Sequence, residues 1–171
     1  AIQTSTNGMS WTNIYETTTG VGGKETLAVN GNGRYVRLYG TARGTGYGYS
    51  LFDFQVNNVA VASSSSVAIV SSSKSSVSSA APSSVASSVA SSSKSSVASS
   101  SSAASVSANL ALNRPAVAST TQDGLPIVNA FDGNANTRWG SAWNNAEWIH
   151  VDLGANYAIN KVVLSWEGAY G

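Results

Sequence analysis

The chain has 171 residues, 42% of them hydrophobic and only 10% charged, with a formal net charge of +1. That length makes one domain or two small ones, and so even a charge leaves no footprint for nucleic acid or an anionic membrane. The absence of cysteine rules out a disulfide framework, a thiolate metal site and a thiol nucleophile, and no apolar run reaches the roughly 18 residues needed to span a bilayer as a helix.

The chain opens Ala1-Ile2-Gln3 without an initiator Met or a signal segment, and stops at Glu167-Gly168-Ala169-Tyr170-Gly171 without a terminating pattern. Both ends read as cuts from a longer protein.

The first flank, 1–61, reads as β. Asn7-Gly8 is a hairpin-type signal ahead of Trp11, Ile14 and Tyr15, and Asn30-Gly31-Asn32-Gly33 is a second expected turn. Arg34-Tyr35-Val36-Arg37-Leu38-Tyr39 alternates with the period of a half-buried strand. Residues 40–50, rich in glycine, read as an irregular loop. In the strand that follows, Leu51, Asp53 and Gln55 are expected on one face and Phe52, Phe54 and Val56 on the other.

From 62 to 108 the composition collapses to Ser, Ala and isolated Val, and the heptapeptide SSSKSSV at 71–77 recurs at 91–97. Such a segment buries too little apolar surface to offset its ordering entropy, so a flexible linker is expected. As a coil its 47 residues would span roughly 35–40 Å, from about 5–6 Å × √n.

The second flank, 109–171, is again β-rich. Asn113-Arg114-Pro115 and Asp123-Gly124 are turn signals. Trp148 to Leu153 alternates apolar and polar residues, and Lys161 to Trp166 is a run of strong strand formers. The stretch from Asn129 to Thr137 is rich in oxygen donors around Gly133. It fits either an Asx turn in which Asp132 caps its own backbone or a cradle for a hard cation. Trp11, Trp139, Trp148 and Trp166 sit in strand-like contexts and are assigned to the core, whereas Trp143 lies in a polar loop where its ring could stack on a sugar. His150, the single histidine, alternates with apolar neighbours as a strand residue and has no Ser-His-Asp partners. Glu147, Asp152 and Glu167 form no glycosidase-like pair by any motif, and Asp152 reads as structural. Several short strands with regular turns predict an all-β sandwich or barrel. At about 60 residues each, neither flank is large enough to be comfortable alone.

Asn109-Leu110-Ala111, Arg114-Pro115-Ala116, Ala130-Phe131-Asp132-Gly133, Thr137-Arg138-Trp139 and Trp148-Ile149-His150-Val151-Asp152-Leu153-Gly154 together resemble the opening half of a discoidin-like (coagulation factor 5/8 type C) domain. More narrowly they resemble carbohydrate-binding module family 32. Ser5-Thr6-Asn7-Gly8 with Trp11, Gly33-Arg34-Tyr35-Val36-Arg37 and Tyr47-Gly48-Tyr49-Ser50-Leu51 resemble the closing half of the same family. The halves stand in reversed order. This fits an excerpt from a tandem array, with the end of one module, a linker and the start of the next, or a circular permutant. Either way the halves are expected to complete each other, within or between chains.

The resemblance implies a discoidin-like jelly-roll β-sandwich with a structural Ca²⁺. Carried over by position, its ligands would be Asn129, Asp132, Asn134 and Thr137 from one flank and Phe52 and Asp53 from the other, with Asp53 where the family more often has Glu. It also implies a sugar-binding face of end loops, which by position holds Gln122, Trp143, Asn144, Glu167, Tyr170, Arg43 and Tyr47. The expected function is non-catalytic binding of a polysaccharide or oligosaccharide by a monomeric accessory module of a secreted bacterial polysaccharide-degrading enzyme. The rival is an adhesion module binding a protein or membrane surface through the same loops.

Overall fold

The computed structural model describes residues 1–58 and 108–168, so the expected linker over 62–108, apart from Ala108, lies outside the described residues. The strands are β1 (Ile2–Ser5), β2 (Thr12–Tyr15), β3 (Lys24–Gly40), β4 (Ser50–Asn58), β5 (Ala108–Asn109), β6 (Ala116–Ala118), β7 (Trp139–Gly140) and β8 (Glu147–Trp166). A 3-10 turn spans Ile127–Ala130. The architecture is all-β, as expected, and among the described residues no helix is long and apolar enough to cross a membrane.

Every pairing is antiparallel, in the order β2-β1-β3-β8-β4-β5, with β6 against β8 and β7 against β4. The long strands β3 and β8 serve two layers of the sandwich. Their carboxyl and amino ends respectively pair from Tyr35↔Asp152 to Gly40↔Glu147, beside β1 and β6. Their other ends pair from Lys24↔Ser165 to Ala28↔Lys161, beside β4. Register shifts between Ala28 and Gly31 and between Gly33 and Tyr35 mark the corner. Asp152 braces it: its carboxylate accepts from Arg34 Nε and Nη2, both at 2.7 Å, and from the Gly154 amide at 2.8 Å. Gly154 adopts φ +85, a backbone few other residues enter.

Local chemistry explains each junction. Between β1 and β2, Ser5 Oγ accepts from the amides of Asn7 and Gly8, and Asn7 Oδ1 accepts from those of Met9 and Ser10. The expected turn at 30–33 is instead part of β3. Its glycines serve close approach: a Cβ on Gly33 would lie 2.8 Å from the Ser5 carbonyl oxygen, and one on Gly31 2.6 Å from Ile14 Cγ2. In β4, a bulge between Leu51 and Asp53 resets the expected alternation. Leu51 and Phe54 therefore both enter the core, while Phe52 is half-buried.

One core draws on both flanks: Leu51, Phe54 and Val56 from the first, Phe131, Trp139, Ile149 and Leu164 from the second. Burying a side chain of this kind stabilises by about 1.5–3 kcal/mol. Trp139 and Trp166 are core, as expected. Trp11 and Trp148 are not. Val36, Leu38, Ile149 and Val151 take the inward phase, so Trp148 and His150 stand on the outer face. There the Trp148 and His150 rings stack at 5.2 Å, Trp11 tilts against His150 at 5.4 Å, and the Arg37 guanidinium lies 4.1 Å over Trp11.

Candidate functional site: a loop cavity and an oxygen-lined turn

Three loops, at 41–49, 119–125 and 141–146, converge beside the ends of β4 and β8. The loop at 119–125 is tied to β7 by the Gln122 amide, which donates to the Gly140 carbonyl at 2.8 Å. The loop at 41–49 is fixed by Tyr49, whose amide donates to Ser141 Oγ at 2.9 Å and whose hydroxyl donates to the Asn145 carbonyl at 3.0 Å. Gly48 permits this approach, because a Cβ there would lie 2.4 Å from the Ser141 carbonyl oxygen. Beneath them, the buried Glu147 carboxylate accepts from Ser119 Oγ, from Thr120 Oγ1 at 2.8 Å and from Asn144 Nδ2 at 2.9 Å. Thr120 Oγ1 in turn accepts from the Ala142 amide at 2.8 Å. A buried charge held this way must be hydrogen-bonded, and here the bonds fix two loops.

The loops enclose a cavity of about 350 Å³ lined by Tyr47, Gln122, Arg138, Trp143 and Glu167, with Tyr49 and Leu125 beside them. Trp143 and Tyr47 are each 59% exposed and meet edge to face, centroids 6.1 Å apart. Arg138 Nε reaches Glu167 Oε2 at 2.8 Å and Ser50 Oγ at 3.1 Å, so it holds the carboxylate at the cavity wall. Aromatic faces for C–H surfaces and fixed polar groups for hydroxyls together suit a sugar ring.

Of the expected sugar-binding residues, Gln122, Trp143, Glu167 and Tyr47 come together here. Asn144 instead donates to Glu147, outside the lining. Arg43 also stays outside the lining: it donates to the carbonyls of Gly46 and Tyr47 and to Asn145 Oδ1, bracing its own loop. Tyr170 lies outside the described residues. Sequence reasoning missed Arg138. The signal was its place beside the buried Trp139, where strand alternation turns the neighbouring side chain outward.

The oxygen-rich turn forms a second cluster. Asp132 accepts from the Asn134 amide at 2.8 Å and from Thr137 Oγ1 at 2.7 Å, and the Asn134 carbonyl accepts from Thr137 Oγ1 at 3.0 Å. Phe131 packs on Phe54, centroids 5.4 Å apart, which brings this turn against β4. The Asp53 carboxylate, next to Phe52, accepts from Gln55 Nε2 at 2.5 Å through Oδ2, while its buried Oδ1 receives no hydrogen bond. Burial pushes the Asp53 carboxyl above its ordinary range; Gln55 and Lys24 pull against that, and Asp132 pushes it further. Asn129 donates through Nδ2 to the Arg138 carbonyl. Among the described residues no cluster of three His, Cys, Asp or Glu gathers, so a cation here would lean on carbonyl and hydroxyl oxygens. The donor set fits a hard, oxygen-seeking cation: two carboxylates near each other, one with an unsatisfied buried oxygen.

Residues 129–171 match a family model described as F5/F8 type C, NedA-like, galactose-binding domain. That match supports the discoidin-like F5/8 type C superfamily. The discoidin-like segment carries Asp132, Asn134 and Thr137 of the turn and Arg138, Trp143 and Glu167 of the cavity. A galactose-binding-like domain suggests carbohydrate binding in general. No curated protein and no solved structure matches the chain.

Proposed function

We propose that the two flanks act together as a non-catalytic carbohydrate-binding module that keeps an attached, secreted bacterial polysaccharide-degrading enzyme at its glycan. The observation that carries this reading is the single cavity in which Trp143, Tyr47, Gln122 and Glu167 converge from both flanks. The carboxylates support binding without chemistry. A glycosidase needs two carboxyl groups on either side of the bond. Here Asp152 is committed to Arg34, Glu147 is buried under three donors, and Glu167 is paired with Arg138. With weak affinity per site, repeated copies along a chain would gain by avidity.

A structural Ca²⁺ belongs to the same reading. Asp132, the Asn134 carbonyl and Thr137 of one flank, with Asn129 beside them, and Asp53 with the Phe52 carbonyl of the other, are the groups that would hold it. Bound there, the ion would neutralise the two carboxylates and join the flanks. Asp53 is one methylene shorter than Glu, and its buried Oδ1, which receives no hydrogen bond, is the oxygen it would offer.

A glycan array with Trp143→Ala as control tests the function. The expected result is binding to a restricted glycan set, weakened at least tenfold in the variant. Binding to a protein or lipid surface with no glycan hit would replace this reading with the adhesion one.

A further inference from the structure

A second cleft of about 320 Å³ lies on the other side of the 41–49 loop. Tyr49 lines both cavities, and Glu167 of the first is followed backwards along the chain by Trp166 of the second. The wall between them is therefore as thin as a strand and a loop. The floor of the second cleft is apolar, made by Leu38, Leu164 and Trp166, and Tyr15 and Tyr39 stand at its sides. Its rim is polar: Glu25, Arg43, the Ala1 ammonium, which donates to the Tyr39 carbonyl at 2.7 Å, and the hydroxyls of Thr17 and Thr18.

Glu25 is held in place rather than free to swing. Its Oε2 accepts from Trp166 Nε1 at 2.8 Å and its Oε1 from the Val21 amide at 3.1 Å. A carboxylate has about four lone-pair positions, so Glu25 keeps acceptor capacity for hydroxyl donors. Each rim charge is already hydrogen-bonded within the protein, which disfavours an ionic ligand, and the hydroxyls disfavour a purely apolar one. A neutral pyranose, apolar on its faces and rimmed by hydroxyls, matches both parts. At this volume the cleft lies at the small end of the range for ligand sites, about 300–1,000 Å³, which suits one or two sugar units.

We propose that this cleft is a second sugar subsite, and that the ligand is a glycan chain spanning both cavities across the 41–49 loop rather than a single terminal sugar. The proposal rests on the carbohydrate reading of the first cavity. It assigns the cleft to a further unit of the same chain, because the two cavities share Tyr49 and one dividing loop. Linking two weak contacts through one ligand raises affinity without any new protein contact.

Titration of the whole chain with galactose and with β-1,4-galactohexaose tests it. The hexaose is expected to bind at least tenfold more tightly than galactose. Thr18→Leu, which replaces a rim hydroxyl by apolar bulk, and Tyr15→Ala, which removes one side wall, should each abolish that gain and leave galactose binding at the first cavity, read at the Trp143 indole, unchanged. Circular dichroism and melting of both variants report whether the fold is intact. Galactose binding with no gain from length, or a gain that survives in both folded variants, overturns the second subsite while the first cavity stands. Failure of both sugars to bind removes the two readings together.

Discussion

Glu147 shows how a buried residue can govern a surface site it never touches. The residue is 2% exposed, and its carboxylate takes hydrogen bonds from Ser119, Thr120 and Asn144, on the two loops that present Gln122 and Trp143. Glu147→Leu removes the acceptor and leaves the Ser119 and Thr120 hydroxyls without it, at a cost of about 1–3 kcal/mol that thermal melts would register. An unchanged melt would show that the carboxylate does not hold the loops together. His150 sets a pH dependence. Burial and the nearby Arg37 lower its pKa below the ordinary 6.5, with Asp152 opposing. Above pH 6.5 it is neutral in both folded and unfolded chains, so it does not alter stability there. As pH falls below 6.5 the unfolded chain takes up the proton first, and stability is lost until the folded pKa is passed. His150→Gln should flatten the melting curve in that window. The Asp152 contribution survives to lower pH, because Arg34 holds its carboxyl below 3.8 and its stability is lost only as pH falls through that lowered value. An unchanged profile in His150→Gln would contradict the assignment.

The elements were legible where period-2 alternation was clean, as in Val36 and Leu38 or Ile149 and Val151. They were misread where an irregularity resets the phase. The β4 bulge hands Leu51 and Phe54 to the same core, and no local sequence signal marks a bulge. Gly31 and Gly33 looked like turn residues, but the reason for them is tertiary: Ile14 and Ser5 lie where a side chain would go. Strand-like contexts assign Trp11 and Trp148 to the core, whereas the alternation of β8 puts Trp148 outside and Trp11 lies against His150 on that outer face. Gly33→Ala should therefore destabilise by about 1–3 kcal/mol, since the obstructing atom is backbone and cannot swing away. A melt unchanged from the parent would show that β1 can yield there. The oxygen-rich turn was legible as a pattern. Its packing against β4 became visible only once Phe131 and Phe54 were in contact. Under the calcium reading, millimolar Ca²⁺ should raise the melting temperature of the parent chain, following the ratio of free ion to Kd. Asp132→Asn should abolish that rise. A parent melt insensitive to both Ca²⁺ and chelator would remove the metal from the account.

At the scale of the whole molecule, the strands that build the unit come from both sides of the segment 59–107, and the residues that flank it pair with each other. Asn58 pairs with Ala108 and Asn57 with Asn109 in an antiparallel ladder. Replacing 59–107 by a two-residue Asn-Gly turn should preserve the fold, since such a turn suits adjacent antiparallel strands. It should raise stability by up to about 3 kcal/mol through the shorter loop. A chain that fails to fold on this replacement would show that the segment contributes more than a connection. The sequence shows two β-rich flanks on either side of a Ser- and Ala-rich segment. It could not show that Tyr47 of one flank faces Trp143 of the other, because that contact depends on β3 and β8 pairing across the chain. The most direct test is an amide and indole NMR titration of the intact chain with a galactose-containing oligosaccharide. Shifts are expected at Tyr47 and Gly48 and at Gln122, the Trp143 indole and Glu167, all following one saturation curve. Shifts confined to one flank, or none at any concentration, would contradict that expectation.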